Sequence, residues 1–330
     1  MSVNSQLLVK CGGFATQLAT YVGHDDGPLW GAQFDATNPE AVLQTHMDAL
    51  MNGAQIILSN TYQVSIAGLM KYLHYSEVES WQHIKKSVRL AKDAAAKYNQ
   101  IKKISETQAG GLPMVLASIG PYGACLHDGS EYTGNYANTV TKEYLQEWHK
   151  PRIEACLEEG IDGLAVETIP CQIEGEAVAE MLLTEYKHVK FWTSFQCKDG
   201  IELANGDNFA LTAISIWDLV KKYDAIDRFL GIGVNCVQPE YVTDLIQSVH
   251  DVNGDDIPPF VVYSNSGEVF NVELGIWEGG DHIKPLASFV DEWVNLGVKI
   301  IGGCCRVYPN SIKQIRERID NINSSNNSIL

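Results

Sequence analysis

Short runs of apolar, often β-branched residues alternate along this chain with longer stretches in which apolar residues recur every three or four positions. The first pattern suits strands buried on both faces, and the second suits helices with one face on a core. Strands are predicted over 7–10, 55–59, 114–119, 163–167, 190–195, 228–234, 260–263 and 298–301. Helices are predicted over 39–51, 77–98, 141–159, 174–186, 209–222, 239–249, 285–296 and 309–319. Val42, Leu43, His46 and Leu50 share a face of 39–51, where Pro39 stands at the first helical position and Asn38 at the N-cap. Trp81, Ile84, Val88 and Ala91 share a face of 77–98, and Gly160 is placed to stop 141–159.

A parallel strand needs a crossover of about a dozen residues before the next, so eight β-then-α units point to a closed (β/α)8 TIM barrel. The competing doubly wound sheet lacks its main support, because Gly12-Gly13-Phe14 follows the first strand in place of a Gly-x-Gly-x-x-Gly turn. The chain reads as a single α/β domain over 1–322, with the polar stretch 323–330 expected as a disordered tail.

Functional groups of such barrels come from the C-terminal ends of the strands. Gly12-Gly13, Asn60-Thr61-Tyr62, Ser118, Glu167-Thr168, Asn235-Cys236, Ser264-Asn265 and Cys304-Cys305 all stand there. Adjacent cysteines resist a mutual disulfide, since that bond wants Cα atoms about 4.4–6.8 Å apart and trans neighbours sit at about 3.8 Å. Two thiolates aimed at one metal ion are the less strained use. Cys236 ends the sixth strand and the pair ends the eighth, so barrel closure brings the three together across the mouth. Three sulfurs with one open position describe a catalytic zinc.

The other candidates each have two readings. Glu167 is either a cap for the next helix or a substrate anchor, and its place on the mouth favours the anchor. Gly12-Gly13 is either a tight turn or a set of backbone amides that seats a carboxylate. Phe14, Trp30 and Tyr62 are either packing or faces for a cation. Cys125, Cys156, Cys171 and Cys197 read as plain thiols, and His24, His127 and His282, without a spaced histidine pair, as surface residues.

Composition narrows the partners. The 330 residues are 45% hydrophobic and 20% charged, enough for one large core, and the formal net charge of −17 disfavours nucleic acid and anionic membranes while tolerating a cationic small molecule. Eight cysteines without regular spacing, an opening Met1-Ser-Val-Asn-Ser-Gln6 without signal-peptide character and no apolar run of about 18 residues lead to the expectation of a cytoplasmic protein.

Gly233-Val-Asn-Cys236 and Ile301-Gly-Gly-Cys-Cys305 resemble the zinc motifs of the homocysteine S-methyltransferase family. The resemblance extends to Gly12-Gly-Phe-Ala-Thr-Gln-Leu18, Gly27-Pro-Leu-Trp30, Asn60-Thr-Tyr62, Ala117-Ser-Ile-Gly-Pro-Tyr-Gly123, Asp128-Gly-Ser-Glu-Tyr132, Val166-Glu-Thr-Ile-Pro170 and Asn265-Ser-Gly-Glu268. It is closer to the branch using S-methylmethionine or S-adenosylmethionine than to the betaine-using branch. It implies a zinc barrel with Cys236, Cys304 and Cys305 as ligands and catalytic residues. It also implies a homocysteine seat from Gly12, Gly13 and Glu167, and a donor side lined by Phe14, Trp30 and Tyr62, with Asn235 among the substrate-binding residues.

The implied reaction moves a methyl group from a sulfonium donor to homocysteine thiolate, giving methionine, with Zn2+ as the only cofactor and a monomer or weak homo-oligomer as the working form. Alternatives are a zinc barrel that binds homocysteine without turning it over, a zinc that merely clamps two strands, and a methyltransferase acting on selenocysteine or selenohomocysteine. Two departures stand out: Cys11 where the family has aspartate, and Ser264 where it has proline. Cys11 either leaves Glu167 alone with the substrate ammonium or adds a fourth sulfur that closes the metal site.

Overall fold

The computed structural model describes residues 7–23, 27–103, 111–271, 276–280 and 283–327. Eight parallel strands form one sheet in the order β1 (Leu8–Val9), β10 (Val298–Gly303), β7 (Phe260–Ser264), β6 (Phe229–Asn235), β5 (Phe191–Phe195), β4 (Gly163–Ile169), β3 (Met114–Ile119) and β2 (Ile56–Leu58). The two ends of this order meet through a parallel bridge between Lys10 and Ile56, where Cys11 N–H donates to Ile56 O at 2.9 Å. The sheet is thus a nearly closed (β/α)8 barrel. Strands β4 to β7 are buried along their whole length, which is why polar residues do not alternate with apolar ones along them.

The helices between the strands are α1 (Phe14–Val22), α2 (Phe34–Thr37), α3 (Pro39–Met51), α4 (Ile66–Tyr72), α5 (Glu77–Lys102), α6 (Lys142–Leu157), α7 (Gln172–Thr184), α8 (Phe209–Lys222), α9 (Pro239–Asn253), α10 (Val290–Asn295) and α11 (Pro309–Asn327). α3 and α8 have the bounds read from their periodicity. At α3 the side-chain cap expected of Asn38 is not made, and Pro39 at the first position marks the start. α5 opens instead on a full capping box between Ser76 and Glu79.

Four features escaped the pattern, among them the four-residue α2. α1 buries only Leu18, a stripe too thin to read. α4 is seven residues long, and a two-stranded hairpin, β8 (Val269–Asn271) with β9 (Ile276–Glu278), lies outside the barrel sheet. The stretch 285–296 breaks into a 3-10 turn, Leu286–Ser288, and the short α10. Helical structure in α11 continues through Asn327, so 323–327 of the expected tail extend the closing helix. His24 and His282 lie outside the described residues; His127 is exposed as read. Among the described residues no helix is long and apolar enough to cross a membrane.

Candidate metal and substrate site

The two glycine pairs exist because backbones pass one another closely. A Cβ on Gly13 would stand 2.4 Å from Cys304 O, and one on Gly303 would stand 2.1 Å from Val307 Cγ1. The turn after β1 is therefore pressed onto the turn after β10. Cys304 N–H donates to Ser264 O at 2.8 Å, and Cys236 N–H to Tyr263 O at 3.3 Å, so the ends of β6, β7 and β10 are tied together. Cys236 takes φ +54°, a left-handed conformation that costs a non-glycine residue roughly 1–2 kcal/mol.

These constraints gather three sulfurs. Cys236 Sγ lies 2.6 Å from Cys304 Sγ and 3.6 Å from Cys305 Sγ. Such a trio titrates as a unit. Hydrogen bonds from Cys236 and Cys304 hold the Cys305 thiol well below its ordinary value. Cys236 is pushed well above it by hydrogen bonding to Cys304 and Cys305 and by burial. At Cys304 the lowering effect of the Cys236 hydrogen bond is outweighed by Cys305 and burial, and the thiol is pushed up to about 12. The set stabilises a first negative charge and resists the second and third, as expected of ligands that release protons when a cation binds.

Glu167 lies buried near the end of β4 and accepts a hydrogen bond from Ser118 Oγ. Burial raises its pKa, while Lys10 and the Ser118 hydrogen bond oppose that rise. Asn235, expected to bind substrate, has its amide occupied by the protein. Its Oδ1 accepts from Thr168 N–H at 2.7 Å and from Ser194 Oγ at 2.8 Å, while Nδ2 donates to Thr168 Oγ1 at 2.7 Å. Thr168 has φ +60°. Asn235, the residue before Cys236, is fully buried and braces that strand end against Thr168, the residue after Glu167.

The aromatic candidates divide. The Tyr62 phenol is pushed well above its ordinary value by burial and then by the charge of Cys236, which puts it within electrostatic reach of the sulfurs. Trp30 is half exposed, on a segment tied to the end of β2 by Asn60 Nδ2, which donates to Gly31 O at 3.0 Å and to Asp35 Oδ1 at 3.2 Å. Phe14 turns toward α3, its ring 4.7 Å from that of His46. Cys11 lines a small cavity with Phe14, Thr45, His46 and Ala49.

Two residues near the sulfurs were missed. Tyr132 has half of its surface open, yet its phenol is pushed well up by burial of the hydroxyl end and then by Cys236 and Cys305. Its motif, Asp128-Gly-Ser-Glu-Tyr132, was visible without a role. Lys10 is buried inside the barrel, and its only sequence signal is a charge at the end of the apolar run Leu7-Leu8-Val9.

A model of the homocysteine S-methyltransferase family matches residues 8–319. The chain belongs to that family. It is 53% identical to a betaine-homocysteine S-methyltransferase of Drosophila melanogaster, over 96% of this chain and 95% of that protein. It is 36% identical to homocysteine S-methyltransferase 3 of Arabidopsis thaliana, over 95% and 92%. The homocysteine methyltransferase MmuM of Escherichia coli, in its metallated form, superposes with a TM-score of 0.79 at 33% identity, covering 95% of this chain and 96% of that one. The protein is accordingly a methyltransferase.

The donor set of this homocysteine S-methyltransferase family member suits a soft cation. Zinc–sulfur bonds of about 2.3 Å in a tetrahedron separate sulfurs by about 3.8 Å, close to the 3.6 Å between Cys236 and Cys305. The tighter Cys236–Cys304 approach has to open by roughly 1 Å for such an ion. Among the described residues these three cysteines are the one group whose ligand atoms gather closely enough for a metal. Cys11 is not part of it, which removes the reading of a fourth sulfur closing the site.

Proposed function

We propose that this chain transfers a methyl group from a sulfonium donor, S-methylmethionine or S-adenosylmethionine, to homocysteine, and that Cys236, Cys304 and Cys305 hold a zinc ion for that purpose. The observation that carries the reading is the convergence of three sulfurs beside a buried carboxylate at one barrel mouth. A free thiol with a pKa of about 8.5 is only a few per cent thiolate at neutral pH. Bound zinc supplies a Lewis-acid position at which homocysteine is held as the thiolate.

The chain's own groups orient the reactants. Glu167, whose charged form Lys10 and Ser118 favour against the effect of burial, faces the substrate ammonium. The Gly13 amide already donates to Val307 O at 3.0 Å, so the substrate carboxylate goes to the first-turn amides of α1, which have no acceptor within their helix. Tyr62 and Tyr132, whose phenols Cys236 raises, and Trp30 at the more open rim supply the aromatic rings for the donor's positive charge until transfer removes it. The substrate sulfur attacks in line, the new S–CH3 bond forms as the donor's S–CH3 bond breaks, and both products are neutral thioethers.

A betaine donor is the second reading, favoured by the name of the Drosophila relative. S-methylmethionine carries one more positive charge than betaine and suits a mouth that contains Glu167 and the thiols. The test is methionine formation by zinc-loaded protein from homocysteine with S-methylmethionine, S-adenosylmethionine or betaine supplied separately. Turnover with a sulfonium donor supports the proposal, turnover with betaine alone supports the second reading, and no methionine from any donor refutes both. Adding selenocysteine or selenohomocysteine as acceptor in the same assay reads the acceptor range.

A further inference from the structure

Lys10 is 4% exposed, with its side chain inside the barrel. Its Nζ donates to Gly303 O at 3.0 Å and lies 3.5 Å from Gly12 O and 4.4 Å from the centre of the Tyr263 ring. Gly302 makes room for the stem: a Cβ there would stand 2.9 Å from both Lys10 Cβ and Lys10 Cδ. Among the described residues no carboxylate oxygen lies within 4.0 Å of this nitrogen. A buried ammonium held only by carbonyls and a ring face is costly unless an anion compensates it. Burial does press the Lys10 pKa down, yet Cys11, Glu167, Cys304 and Cys236 together carry it above the ordinary lysine value.

We propose that Lys10 is the counter-charge of the sulfur centre, a positioning residue whose ammonium stabilises the anionic set formed by Cys236, Cys304, Cys305 and the substrate thiolate. The proposal rests on the zinc and homocysteine reading above. Three thiolates on a dication leave one negative charge, and a thiolate substrate adds a second inside a dry cleft. Lys10 follows β1, the neighbour of β10, and its hydrogen bond to Gly303 O fixes the ammonium against the residue that precedes Cys304. The methionine product has a neutral sulfur, so the counter-charge favours substrate over product and helps release.

That distinction gives the test. Lys10→Met and Lys10→Gln, the second keeping a donor for Gly303 O, are compared with wild type and Lys10→Arg as zinc-loaded full chains. Calorimetry measures binding of homocysteine and of methionine, and competition with a chromogenic chelator measures zinc affinity. A charge pair several ångströms apart at an effective dielectric of about 20 predicts homocysteine affinity lower by roughly ten- to fifty-fold without the charge. Methionine affinity should change far less, zinc should bind more weakly, and arginine should restore part of the loss. Equal losses for the two ligands would mean that Lys10 only supports the fold, and unchanged homocysteine affinity in Lys10→Gln would likewise overturn the proposal. If wild type itself takes up neither zinc nor homocysteine, the parent reading fails first and this one with it.

Discussion

Replacing Asn235 by alanine tests how the barrel holds its site. The change strips Thr168 N–H of its acceptor, removes one of the two partners of Ser194 Oγ and takes the Nδ2 donor from Thr168 Oγ1. All three residues are buried. One stranded backbone donor costs about 1–3 kcal/mol, and two further lost bonds cost about 0.5–1.5 kcal/mol each. The sum is a destabilisation of roughly 2–6 kcal/mol, which all but the least stable domains in the usual range of about 5–15 kcal/mol survive. Thr168 and Cys236 both hold left-handed backbones next to this brace, and without it each has reason to relax. Glu167 and Cys236 then shift together, so homocysteine affinity and zinc affinity should fall in the same variant. Urea unfolding followed by circular dichroism gives the stability, calorimetry the homocysteine affinity, and metal analysis after dialysis the zinc. A loss below about 1 kcal/mol, with both affinities intact, would show that Asn235 braces nothing.

Glu167→Gln should weaken homocysteine binding by about 1.5–3 kcal/mol, one charge-assisted hydrogen bond, while zinc content stays unchanged; equal calorimetric affinity would remove Glu167 from the seat. Alanine at Cys236, Cys304 or Cys305 should abolish stoichiometric zinc without loss of helical signal, and peroxide should release zinc from wild type until reductant and zinc are restored; a triple variant that still held one zinc per chain would refute the site. Asp35 offers a test by pH. Burial pushes its carboxyl up to about 8 against an opposing hydrogen bond from Asn60, whereas in the unfolded chain it titrates at about 3.9. The folded state therefore keeps a proton that the unfolded state releases, and this contribution to stability falls as pH rises from about 4 to about 8. Asp35→Asn removes the dependence, so its advantage in urea unfolding should grow by up to a few kcal/mol between pH 5.5 and 8; a gain independent of pH would mean that Asp35 is ionised in the fold.

The repeated alternation of apolar runs and amphipathic stretches was sufficient for the barrel, because each crossover helix carries its own periodicity and each parallel strand its own apolar run. The gathering of the three cysteines was legible for a related reason. Asn235-Cys236 and Gly303-Cys304-Cys305 close two such runs, and in a closed barrel strand ends share one mouth. Direction and partnership were a different matter. A strand buried on both faces has no polar alternation from which to read which side chains point inward. Pairing of β1 with β10, Leu8 opposite Ile300 and Val9 opposite Ile301, is what sets Lys10 against Gly302 and Gly303, while Cys11 lines the cavity beside α3. The role of Asn235 needed β4 and β5 beside it, since its partners Thr168 and Ser194 lie 67 and 41 positions away in the chain. Local pattern thus determined which elements form and which residues end them; the contacts that decide charge, bracing and access arise between elements distant in sequence, and they exist only once the barrel has closed.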